Sequence, residues 1–170
     1  MRRSIAVVVA VSLAVACGAP ALAAGGTVDL PAKFSRLIPG VKKKSGVAVR
    51  LPSTLHSYVK RTYAEGSASH GRYDLELGAA KGCGGATACF IASFSGVRGG
   101  TPAFKRKVSL ARGITGYFKP VTCGASCSPA FVQWRQGGVL YEIEFKGALQ
   151  SKEKSTMIAL ANSAIRGGAR

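Results

Sequence analysis

The sequence predicts an α+β fold: a small, mostly antiparallel sheet of five to seven strands covered by a C-terminal amphipathic helix. Three observations carry this. Arg72-Tyr73-Asp74-Leu75-Glu76-Leu77 alternates strictly, with Tyr73, Leu75 and Leu77 on one face. Two further alternating runs, Phe131–Arg135 and Leu140–Lys146, flank Gly137-Gly138, the composition of a tight hairpin turn. After Ser151 the period changes to that of a helix, with Met157, Leu160, Ala161, Ala164 and Ile165 on one stripe. A sheet with one apolar face needs a cover, and the last helix supplies it.

The chain has 170 residues, with 24 Lys and Arg against 7 Asp and Glu, a formal net charge of +17. That length suits one folded domain. Residues 1–23 read as a secretory signal peptide. Met1-Arg2-Arg3 is positive, Ile5–Ala16 is apolar apart from Ser12, and Pro20 precedes Ala21-Leu22-Ala23, an A-x-A site that predicts cleavage after Ala23. The apolar run falls short of the ~20 residues that span a bilayer. An uncleaved anchor is the first alternative. Lipid attachment at Cys17 is the second, disfavoured because Leu13 sits one place too early. A twin-arginine signal is the third, and Arg2-Arg3 lacks its flanking residues. Removing residues 1–23 leaves 22 basic and 7 acidic residues, a net +15. The basic excess therefore belongs to the mature protein.

Residues 24–46 read as a basic linker or arm ending in Lys42-Lys43-Lys44-Ser45-Gly46, with room for a helical turn from Phe34 to Ile38. Residues 47–170 are expected to form the single domain. Val47–Leu51 reads as a strand stopped by Pro52. Residues 53–71 show no clear period. Cys89–Val97 reads as a strand with Phe90, Ala92 and Phe94 on one face. Lys107–Ala111 and Tyr117–Thr122 are shorter candidates. Val139, Tyr141, Ile143 and Phe145 face one way, and Leu140, Glu142, Glu144 and Lys146 the other. Ser151 is placed to cap the final helix, Glu153 lies in its positive first turn, and Gly167-Gly168 ends it.

Cys83, Cys89, Cys123 and Cys127 remain after loss of the signal. An even count in an exported chain reads as two disulfides. Three connectivities are open. Cys83–Cys89 with Cys123–Cys127 is favoured because each pair closes a short loop containing glycine. A four-thiolate zinc site fits less well, since five residues separate Cys83 from Cys89. A redox dithiol would want two residues between its cysteines. No metal and no cofactor is expected.

Trp134-x-x-Gly137-Gly138-Val139-x-Tyr141, followed by Ser151 and a helix reading Ile158-Ala159-Leu160-Ala161-Asn162-Ser163, resembles the end of certain bacterial extracytoplasmic domains. These are uncharacterised or regulatory, and similar to the outer parts of anti-sigma factors and to lipoprotein-sorting-like folds. The resemblance runs from Trp134 onward. It departs from those domains in the two cysteine loops and the basic charge. It implies a non-catalytic α+β envelope domain and carries no catalytic residue onto this chain.

No nucleophile elbow, Walker loop or His-Glu-x-x-His motif is present. His56 and His70 are the two histidines, and neither shows the partners a serine nucleophile needs, although Ser67 and Ser69 precede His70. Gly82-x-Gly84-Gly85 is followed by a strand, which excludes a dinucleotide fingerprint. Asp74 with Glu76, and Glu142 with Glu144, each share a strand face. They are either the wet face of a half-buried sheet or, if they line a cleft, the acids of a small secreted hydrolase. The basic runs Lys42-Lys43-Lys44 and Lys105-Arg106-Lys107 are the candidate anion-binding residues. The expected partner is an anionic cell-envelope polymer or lipid surface. No dedicated nucleic-acid motif is present. A sensory or regulatory domain with a partner protein is the third class.

Overall fold

The computed structural model describes residues 25–148 and 150–170; the expected signal peptide, residues 1–23, and Cys17 within it lie outside them. The fold is α+β. Its body is a seven-stranded antiparallel sheet made of β3 (Tyr63–Ser69), β4 (Arg72–Gly78), β5 (Phe90–Arg98), β6 (Arg106–Ser109), β7 (Thr115–Lys119), β10 (Ala130–Gln136) and β11 (Val139–Phe145). The strand order is β3-β4-β5-β11-β10-β7-β6. The sheet is two meanders joined where β5 pairs with β11. Gly137 and Gly138 both have positive φ, which the tight turn between β10 and β11 requires and a side chain would resist.

Alternation sorts the side chains as expected except at Phe90, where a register shift between Leu77 and Gly78 skips Ile91 and Phe90 lines a cleft with Glu144 instead of joining Ala92 and Phe94. Tyr73, Leu75 and Leu77 of β4, Ala92 and Phe94 of β5, and Tyr141, Ile143 and Phe145 of β11 share the buried face. The final helix, α3 (Glu153–Gly167), covers β10 and β11 with Met157, Leu160, Ala161, Ala164 and Ile165, all buried. Ser151 is not its cap. A short 3-10 turn over Gln150–Lys152 precedes the helix, and Lys152 is the capping residue. Glu153 instead accepts a hydrogen bond from the Val121 N–H at 2.5 Å, tying the helix start to the end of β7.

The linker expected at 24–46 is part of the fold. It forms β1 (Gly26–Asp29), α1 (Leu30–Phe34) and α2 (Ile38–Ser45), and β1 pairs with β2 (Thr54–Ser57). Asp29 caps α1 by accepting from the Ala32 N–H at 2.9 Å, and Pro31 and Pro39 sit in first turns, where no N–H is needed. Leu30 and Phe34 are fully buried, and the Phe34 ring meets Phe94 edge-to-face at 6.0 Å. This burial makes 25–46 the cover of the β3–β5 half, as α3 is of the β10–β11 half.

Val47–Leu51 is extended but is not a strand. Val47, Val49 and Leu51 point into the core, as the alternation requires. The backbone finds its partners outside any ladder. The Arg50 N–H donates to the Tyr73 hydroxyl at 3.1 Å, the Ala48 carbonyl accepts from the Tyr141 hydroxyl at 3.1 Å, and the Val49 carbonyl accepts from the Arg170 N–H at 2.9 Å.

Both disulfides form with the favoured pairing. Cys83–Cys89 closes the β4–β5 loop with Cα atoms 5.9 Å apart. Cys123–Cys127 closes the small hairpin of β8 (Thr122–Cys123) and β9 (Cys127–Ser128), with Cα atoms 4.0 Å apart. Among the described residues no helix is long and apolar enough to cross a membrane.

Candidate functional site

The sheet face turned away from the helices carries the chemistry. Strand register lays its side chains in rows. One runs Ser67, Asp74, Ser95, Glu142, Gln133, Tyr117, Lys107 from one edge to the other. The next runs Glu65, Glu76, Ser93, Glu144, Phe131, Lys119. Five of the seven acidic residues therefore gather on one half of this face, and Lys107 and Lys119 close the other half. The i, i+2 pairs were legible in the sequence. Their assembly was not, because it depends on β5 joining β4 to β11.

The face is not flat. The β5–β6 connection runs over it as a strap. The Ala103 N–H donates to Gln133 Oε1 at 2.8 Å, and Phe104 packs on Phe131 with ring centroids 5.6 Å apart. Lys119 lies over both rings, 5.0 Å from Phe131 and 6.0 Å from Phe104. The two disulfide loops rise at one end and leave a cleft lined by Thr87, Phe90, Cys127, Pro129, Glu144 and Lys146. Lys146 Nζ donates to the Thr87 carbonyl, and the Gly82 N–H donates to Glu65, so the Cys83–Cys89 loop, one wall of the cleft, is held to the sheet at two points. Glu144 lines this cleft, and Glu65, Asp74 and Glu76 line a separate shallow cavity with Gly66, Ser67 and Gly84.

Crowding on this face shifts its carboxylates. Burial, and then the nearby charge of Glu142, pushes Glu144 up to about 7, against the weaker pull of a 3.5 Å hydrogen bond from Ser93. Burial also raises Glu142, partly offset by a 2.5 Å bond from Gln133 Nε2, and burial followed by the Glu76 charge raises Asp74. A carboxyl held near neutrality in a cleft can give up or take a proton at physiological pH.

The two predicted basic runs are all exposed but are not brought together. Lys42, Lys43 and Lys44 occupy the last turn of α2, beside the β3 edge, where they complement the carbonyl end of the helix. Lys105, Arg106 and Lys107 lie at the β6 edge. Six strand spacings separate β3 from β6, about 29 Å. The lysines of α2 instead join residues that the sequence scattered. The Gly71 N–H donates to Ser45 O and the Arg98 N–H to Gly71 O, each at 2.8 Å, and Arg98 Nη2 donates to Gly46 O at 2.5 Å. These bonds fasten the helix end, the β3–β4 turn and the end of β5 together, with Lys42, Lys43, Lys44 and Arg98 exposed there; Arg72, also exposed, alternates with buried Tyr73 and lies on the opposite sheet face beside Asp74.

His56 lies on β2 and His70 in the β3–β4 turn, both exposed. Among the described residues no three His, Cys, Asp or Glu side chains are arranged to hold a metal ion. The chain matches no family model, no curated protein and no solved structure.

Proposed function

We propose that the protein is exported, processed after Ala23, and acts as a non-catalytic domain that attaches to anionic envelope polymers through its basic ends. One observation supports this reading above the others. Lys42, Lys43, Lys44 and Arg98 are exposed on chain segments that hydrogen bonds fasten together: the end of α2, the β3–β4 turn and the end of β5. The basic side chains that make hydrogen bonds elsewhere use neutral oxygens, as Lys33 does with the Thr62 carbonyl at 2.5 Å and Lys146 with Thr87. Their positive charge stays available to a polyanion. The second run, at the opposite edge, gives a long polymer two points of contact. The disulfides are consistent with an oxidising compartment.

The test is the salt at which the protein leaves a teichoic-acid or heparin matrix. Replacing Lys42, Lys43 and Lys44 by Gln should lower that salt, and replacing Lys105, Arg106 and Lys107 as well should lower it further. Equal retention of all three proteins would overturn the reading. A second reading, a small secreted hydrolase, is favoured by the near-neutral Glu144 in its cleft. It requires release of reducing ends from a polysaccharide, and loss of that release in Glu144→Gln and Glu142→Gln.

A further inference from the structure

The two edges of the main sheet are built differently. The β6 edge is four residues long and carries Arg106 and Lys107, the sort of charged, short strand that discourages pairing. The β3 edge is seven residues, Tyr-Ala-Glu-Gly-Ser-Ala-Ser, with no proline and no basic residue. Its ladder with β4 runs without a register shift. Ser69 pairs with Arg72 across the two-residue turn, so alternate residues Ser69, Ser67, Glu65 and Tyr63 bond to β4. Ala68, Gly66 and Ala64 therefore turn their N–H and C=O groups outward. They also turn small side chains toward α2, and a groove opens there between the strand and the helix, lined by Arg36, Leu37, Val41, Lys44, Gly66 and Ala68. Its floor is apolar and its rim is basic.

The geometry points to β3 as a docking edge for an extended, acidic segment of a partner polypeptide, which adds to the sheet as an eighth strand. Backbone bonds to Ala64, Gly66 and Ala68 would supply the attachment. Side chains two residues apart would enter the groove on one face, an apolar one against Leu37 and Val41 and acidic ones against Arg36 and Lys44. Charge complementarity selects this occupant over a second copy of the chain, since β3 laid on β3 would set basic rim against basic rim. The inference goes beyond polymer attachment, which uses ends of the molecule and needs no open strand.

The test uses the whole protein and the acetylated, amidated heptapeptide Thr-Glu-Thr-Val-Thr-Glu-Thr, which presents Glu, Val and Glu on one face. Amide hydrogen exchange at Ala64, Gly66 and Ala68 should slow when the peptide is added, and a version with Lys for Glu should have little effect. Arg36→Glu should weaken the Glu peptide several-fold and favour the Lys peptide. Ala68→Pro removes an outward N–H that β4 does not use, so it should abolish the slowing while leaving retention on the anionic matrix unchanged. Ala64→Pro is the second such variant if the first fails to fold. Unchanged exchange at these three amides, or slowing that appears without peptide as the protein is concentrated, would overturn the inference.

Discussion

Replacing Glu144 by Gln tests the electrostatics of the acidic sheet face directly. The Glu144 carboxyl is raised from 4.5 to about 7, first by burial and then by Glu142. The folded state therefore holds a proton that the unfolded chain has already released between about pH 4.5 and 7, so stability falls as pH rises through that window. At about 1.4 kcal/mol per decade the full shift would be worth about 3.4 kcal/mol. The carboxyl is only half-buried, and solvent screening reduces this to about 1 kcal/mol. Glu144→Gln keeps the shape and removes the titration. Above pH 7 the variant should be more stable than the native protein by about 1 kcal/mol, or about 2–4 °C in Tm. At pH 4.5 the difference should be much smaller. Urea unfolding of both proteins from pH 4 to 8 gives the difference curve. A difference that does not change with pH, or a loss of stability on substitution at pH 8, would refute the reasoning.

Three further outcomes follow from the packing. Phe34→Ala should cost about 3–5 kcal/mol in urea unfolding, because the ring is fully buried against Phe94; no change would mean that residues 25–46 are a loose arm after all. Tyr73→Phe leaves the Arg50 N–H without its hydroxyl acceptor and should cost about 1–3 kcal/mol by the same assay, with near-ultraviolet circular dichroism unchanged. Removing either disulfide by paired Cys→Ser substitution should cost about 2 kcal/mol, since both loops are short, and should leave the sheet's circular dichroism intact.

Particular residues show which parts of the fold were legible in the sequence. β4, the β10–β11 hairpin and α3 were readable because each carries its own period, and the five apolar residues named for α3 are the five it buries. Val47–Leu51 was read as the wrong element, although Val47, Val49 and Leu51 are buried in alternation. Alternation reports where side chains point, and is silent on which groups bond the backbone. Residues 25–46 looked like a linker because Pro39, Gly40 and three lysines are linker-like in composition. Here Pro39 starts a helix and the lysines end it. The acidic cluster escaped because its members are far apart in sequence and meet only through the β5–β11 pairing. The link between Arg98 and the end of α2 escaped for the same reason: it runs through hydrogen bonds of Ser45, Gly46 and Gly71 that no local pattern announces.

Electrostatic attachment to an anionic envelope polymer is the role proposed for the protein. The most direct measurement is binding of the whole mature protein to isolated bacterial cell walls before and after chemical removal of their anionic polymers, at two salt concentrations. Binding to intact walls should be strong and weakened by salt, and binding to stripped walls should be slight. Equal binding to both, insensitive to salt, would contradict the proposed role.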